Sequence, residues 1–231
     1  MDAFEFQPKW LIREGFDGEK YQKPNSVFKY MKQKHIDNFF NSGVIKLGTF
    51  NSYKKTEDQN REDYQEGTNE YVVWNKDRSH KWTLRRMTGN DNLIFCTSTK
   101  EDLTTLGSRW DCDGYFEIQN SLGFAFEVAK SINGFKLGLE GPAIYTDSGQ
   151  TNFYTELYKV DDFNKSTPVQ ELFKTFDLIS KINLDLFFSK RTYPYKIESE
   201  YRFIWILDHE PTAEELIVRC PDARRFCKKI T

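Results

Sequence analysis

Glu198 and Glu200 stand two residues apart in the run Tyr195 to Leu207 (YKIESEYRFIWIL), which alternates polar and apolar residues and so reads as a strand. A spacing of two on a strand directs Glu198, Glu200, Arg202 and Ile204 to one face. Ile197, Tyr201, Phe203 and Trp205 fall mainly on the other. Two carboxyl groups so placed disfavour each other's ionisation, and the pair can stabilise an electron-poor sugar carbon and orient a nucleophile. The plainer reading is a solvated face on which Glu200 and Arg202 form a surface ion pair worth about 0 to 1 kcal/mol. Thr97, Ser98 and Thr99 close the apolar run Leu93 to Thr99; hydroxyls there can hold a ligand or a neighbouring carboxylate, or simply end a strand. Lys29 can meet a phosphate as a point charge, and Tyr30, on the opposite face of the same short run, can stack on or hydrogen-bond a ring; a snorkelling lysine and a core tyrosine are the plainer readings. Phosphate-cradling glycine loops, a nucleophile elbow and a zinc-binding HExxH helix are all missing from the sequence, and the three histidines, His35, His80 and His209, are too few for chemistry built on several imidazoles.

The elements that must position these groups follow from periodicity. Val27–Met31 reads as a strand, His35–Phe40 as a helix stopped by Gly43, and Val44–Gly48 as a second strand. Residues 51–67 carry mixed charge and almost no aliphatic side chains, which predicts a loop. Glu70 to Arg86 predicts a hairpin, basic and with Trp74 and Trp82 interleaved. Leu93–Thr99 predicts a central strand, Phe124–Val128 a further strand, Ala143–Tyr145 a short one and Val169–Leu186 a helix. Pro211–Leu216 looks like a helix start ahead of a basic tail, Arg219 to Lys229.

The whole chain bounds the function classes. With 231 residues, one large domain can bury its own core, and 20 Phe, 12 Tyr and 5 Trp supply ample material. Lys and Arg total 33 against 35 Asp and Glu, so a generally basic nucleic-acid coat protein is excluded, although local basic stretches leave nucleic acid open as a partner. Cys96, Cys112, Cys220 and Cys227 are scattered without a CxxC pair, which argues against zinc and for free thiols. The N-terminal residues lack a signal-peptide pattern, and no apolar run approaches membrane-spanning length, so a cytoplasmic, non-membrane protein is expected. The expected organisation is a single domain over 1–231 with an N-terminal arm over 1–25.

Three places share one order along the chain: Val27-Phe28-Lys29-Tyr30-Met31, Phe95-Cys96-Thr97-Ser98-Thr99 and Glu198-Ser199-Glu200. Together they resemble the ADP-ribosyltransferase superfamily, which has a first-strand Arg, His or substitute, then an aromatic-hydrophobic-Ser-Thr-Ser strand, then a Glu-x-Glu strand. Lys29 stands where the family has arginine, and the long interval between the second and third motifs implies an insertion over about 130–190. The resemblance implies an α+β fold, a split β-sandwich of two small sheets with flanking helices. It implies NAD as the ADP-ribose donor and no metal. Glu200 would meet the ribose 2′-hydroxyl and oppose positive charge, and Glu198 would orient or deprotonate the acceptor. Thr97, Ser98 and Thr99 belong to the cofactor site, the first two holding Glu200; Lys29 or Tyr30 contacts phosphates or adenosine, and Tyr53 stacks on nicotinamide. The acceptor is a macromolecule, protein or nucleic acid. A bacterial toxin or anti-phage effector is the role such a protein plays, and a toxin would need a neutralising antitoxin. The alternatives are a non-catalytic binding module on the same fold and a nucleic-acid-processing enzyme that does not use NAD.

Overall fold

The computed structural model describes residues 10–12, 23–54, 68–74, 81–87, 92–146, 150–154 and 187–230. Its strands are β1 (Trp10–Ile12), β2 (Val27–Met31), β3 (Val44–Gly48), β4 (Thr68–Trp74), β5 (Lys81–Met87), β6 (Asn92–Ser98), β7 (Gly114–Ile118), β8 (Phe135–Pro142), β9 (Ile144–Thr146), β10 (Gln150–Tyr154), β11 (Ser189–Arg191), β12 (Glu200–Leu207), β13 (Glu215–Arg219) and β14 (Cys227–Lys229). The α-helices are α1 (Gln33–Ser42), α2 (Phe50–Lys54) and α3 (Ser121–Ala129). The protein is thus a mixed α+β, sheet-rich fold whose strands pair mostly antiparallel and do not close into a barrel. The predicted loop beyond residue 54, the helix over 169–186 and the side chains of Trp74 and Trp82 lie outside the described residues. The hairpin predicted over Glu70 to Arg86 is present as antiparallel β4 and β5.

Nine strands of the described residues form one sheet, in the order β1-β8-β12-β6-β2-β7-β14, with β3 and β13 leaving it as a side branch. The branch point is β6. Its full length pairs with β12 on one side, whereas on the other Ser98 meets Phe28 of β2 and Ile94 meets Gly48 of β3. Two strands cannot occupy one edge, so β2 and β3 diverge and a fork opens between them. Helix α1 connects the two strands and buries Ile36 and Phe39 in the core. Gly43 ends α1 in the left-handed conformation (φ 73°) and donates to the Phe39 carbonyl at 2.8 Å, as the sequence predicts; a Cβ there would lie 2.4 Å from Pro221 Cα.

Alternation along β6 and β12 builds two cores, one on each face. Leu93, Phe95, Tyr201, Phe203 and Trp205 pack with Ile36 and Phe39 of α1 and with Phe124 and Val128 of α3. Ile94 and Ile204 pack on the other face with Phe50, Leu139, Phe187 and Phe188. Each such side chain, hidden from water, contributes about 1.5–3 kcal/mol.

Three sequence expectations are overturned. Phe124–Val128 is not a strand but the heart of α3, because Asn120 caps it by accepting from the Gly123 N–H at 2.9 Å and its apolar residues bury against the sheet. Pro211–Leu216 starts no helix; Glu215 and Leu216 belong to β13, paired with β3. Residues 51–54, expected at the start of the loop, are instead helical within α2. In the N-terminal arm, Trp10 lies against Trp205 and Phe126, with ring centroids 6.0 and 5.9 Å apart, and β1 pairs with β8.

Candidate functional site

The fork between β2 and β3 holds a cleft of about 730 Å³. Lys29, Tyr30, Tyr53, Thr97, Glu198 and Glu200 all line it, joined by Cys96, Trp110, Lys190 and Tyr195. Six candidate residues from four separate stretches of sequence therefore converge.

The Glu-x-Glu segment departs from the expected strand. Glu198 ends a 3₁₀ turn (Lys196–Glu198), Ser199 takes a left-handed conformation (φ 44°), and β12 begins only at Glu200. The expected period of two therefore does not bring the carboxylates together. Lys190 does: its ammonium donates to Glu198 Oε2 at 2.8 Å and to Glu200 Oε2 in a still shorter contact. Lys190 is placed by the parallel β9–β11 pair, where it faces Tyr145. The Tyr145 hydroxyl in turn accepts the Glu200 backbone N–H at 2.9 Å. Arg202 donates to Glu200 Oε1 at 2.5 Å and to the Phe187 carbonyl at 2.9 Å; Arg109 donates to Glu198 Oε1 at 3.0 Å.

The expected solvated face is thus a buried charge network, with Glu200 and Arg202 exposed to only 3% and 0%. Burial pushes the Glu200 carboxyl toward its neutral form, but Arg202 and Lys190 outweigh it and hold the group well below the usual carboxylate range. A carboxylate that stays ionised while hidden from water is the chemical product of this arrangement. Burial raises the Tyr145 phenol, helped by the Glu200 charge, so Tyr145 remains a neutral hydroxyl. The Cys96 thiol is likewise pushed up, chiefly by burial, which disfavours its thiolate.

The hydroxyl run acts on backbone rather than on the Glu200 side chain. Thr97 Oγ1 donates to the Tyr201 carbonyl at 2.8 Å, Ser98 Oγ to the Glu198 carbonyl at 2.7 Å, and Thr99 Oγ1 to the Ser199 carbonyl at 3.2 Å. Ser98 and Thr99 fasten the Glu-x-Glu backbone and Thr97 the residue after it; Thr97 alone of them lines the cleft. Lys29 donates to the Cys96 carbonyl at 2.7 Å with its ammonium over the Phe95 ring at 4.3 Å. Tyr30 is committed to the fold: its hydroxyl donates to the Lys100 carbonyl at 2.8 Å and accepts from the Asp102 N–H at 2.6 Å, while its ring stacks on Tyr115 at 5.3 Å. Tyr53 sits on α2, whose first turn is closed by reciprocal bonds between Thr49 and Ser52. Gly48 leaves room for it, since a Cβ there would lie 3.2 Å from the Tyr53 ring.

Lys190, Arg109 and Tyr145 were not singled out by sequence reasoning, and Arg202 was read as a surface partner. No local spacing signals them: strand pairing brings Lys190 and Tyr145 to the carboxylates, and the helical turn after Leu103–Gly107 brings Arg109. Among the described residues no group of three or more His, Cys, Asp or Glu is arranged to hold a metal, no helix is long and apolar enough to cross a membrane, and all four cysteines are free thiols. No family model, curated protein or solved structure matches the chain.

Proposed function

We propose that the protein is an NAD-dependent ADP-ribosyltransferase acting on a macromolecule, with the fork of the sheet as a divergent form of that superfamily's split β-sandwich. One observation carries the reading: Lys29, Thr97, Glu198 and Glu200, the residues of three motifs far apart in sequence, line a single cleft. The cleft volume, about 730 Å³, falls in the range of small-molecule and cofactor sites. NAD binds there as substrate. Lys29 faces its phosphates, and the Tyr53 ring offers a stacking surface for nicotinamide. Glu200, kept ionised by Lys190 and Arg202, takes the ribose 2′-hydroxyl and opposes the positive charge that grows as the glycosidic bond breaks, a contribution of several kcal/mol in a water-poor site. Glu198 orients the acceptor. A role as toxin or anti-phage effector follows from the family resemblance alone.

The charge network also favours a second reading, a binding module in which Lys190 and Arg202 serve only to neutralise Glu200. Isotope-labelled NAD with purified protein and a mixed cell lysate separates the two. The transferase labels a macromolecule, and Glu200→Gln and Glu200→Asp both lose labelling while keeping the wild-type circular dichroism spectrum. Full labelling by either folded variant sinks the mechanism. NAD binding without any labelling establishes the module.

A further inference from the structure

From the end of β11 into the turn ahead of Glu198 the chain reads Lys190-Arg191-Thr192-Tyr193-Pro194-Tyr195-Lys196, three cations and two tyrosines. Its backbone is tied: the Lys196 N–H donates to the Thr192 carbonyl at 2.8 Å and the Glu198 N–H to the Tyr195 carbonyl at 2.9 Å. Tyr195 is its inward anchor, buried in the cleft wall with Lys190, Arg191 and Arg109 lying 4.8, 5.3 and 5.7 Å from its ring centre. Two residues away, Tyr193 is 87% exposed, more than any other large hydrophobic residue described. A hydrogen-bonded turn that holds an aromatic ring in water gains no burial from it. Three residues on, in the same turn, Lys196 is exposed, and Ile197 is 46% exposed.

We propose that this turn docks single-stranded nucleic acid, with an unpaired base stacked on Tyr193 and the adjoining phosphates facing Arg191 and Lys196. An exposed aromatic flanked by cations is the combination that binds such strands, the ring taking any base and the charges tracking the backbone. The carboxylates nearest in sequence offer no repulsion, because Glu198 and Glu200 are already paired with Lys190, Arg109 and Arg202. A basic peptide would meet like charge on this turn. Docking itself stands apart from the transferase reading; that the docked strand is also the acceptor rests on that reading.

Fluorescence anisotropy with labelled oligouridylate and with labelled oligothymidylate, in the absence of NAD, tests the docking. At least one strand binds, with affinity that falls as salt rises. Tyr193→Ala weakens it by about 5-fold or more, Tyr193→Trp retains it, and Lys196→Glu weakens it and flattens the salt dependence. Both positions are exposed, so melting temperatures of the variants match wild type. No binding of either strand, or unchanged affinity in Tyr193→Ala, overturns the proposal, as does Tyr193-dependent capture of a protein by a chain that ignores both oligonucleotides. Strand binding without NAD transfer leaves the docking site standing and removes the transferase reading.

Discussion

Lys190 is the residue on which the site turns, since its one ammonium donates to both Glu198 and Glu200. Removing one partner of a buried ion pair leaves the other charge without compensation. Lys190→Met should therefore cost about 3 kcal/mol, read by urea unfolding at neutral pH. The acid limb gives an independent signature. Because the Glu200 carboxyl titrates below its ordinary value of 4.5 in the folded protein, its stabilisation is complete above that pH and is lost as pH falls. In Lys190→Met that carboxyl is depressed less, so stability falls less steeply between pH 4.5 and acid unfolding; an unchanged slope would show that Arg202 alone sets it. Of these residues, the glutamates were legible in the sequence as a motif, but their environment was not. Lys190 sits eight residues before Glu198, and only the β9–β11 pairing turns its side chain onto both carboxylates.

At the scale of elements, the junction into β12 is the least ordinary piece of backbone. Ser199 holds a left-handed conformation at about 1 kcal/mol, kept in place by the Thr99 N–H and hydroxyl donating to its carbonyl. Ser199→Gly should raise the melting temperature slightly, and Ser199→Val should lower it by several degrees, a β-branched residue being poorly accommodated there. β6 was readable as a compact apolar run because both its faces are buried, and β12 by its alternation. The same rule misplaced Glu198, since it assumes that the strand continues through Ser199. Helix α3 escaped for the converse reason: in the window Phe124–Val128 apolar residues are nearly continuous, and such a run does not tell a buried helix from a buried strand. Gly43 was legible because its task is local. Gly43→Ala should destabilise by more than the usual 1 kcal/mol or so for a left-handed position, since the added carbon also runs into the Pro221 backbone; chemical denaturation measures it.

Across the whole molecule, the fork sets unequal strengths on its two sides. The β6–β12–β8 centre is paired over its full length and has a core on each face. The β3–β13 branch meets β6 at one residue pair, Gly48 with Ile94, and is otherwise held by Ile45, Leu47 and Val218 packing into the core; the Cys220 N–H to the Gly43 carbonyl and the Thr49 N–H to the Glu214 carbonyl close the two ends of the branch itself. Local opening follows the weaker attachment, so amide exchange should be slowest in β6, β8 and β12 and faster in β3 and β13. The cleft walls come from both sides, with Lys29 on one and Lys46 and Ile217 on the other. A ligand that spans the fork must therefore slow exchange in β3 and β13 as well as around Glu200, because it binds the closed state and not the opened one. Hydrogen exchange with and without NAD measures this directly. Protection confined to one wall would mean that the fork is a consequence of sheet geometry and not the place where the two halves of the molecule act together.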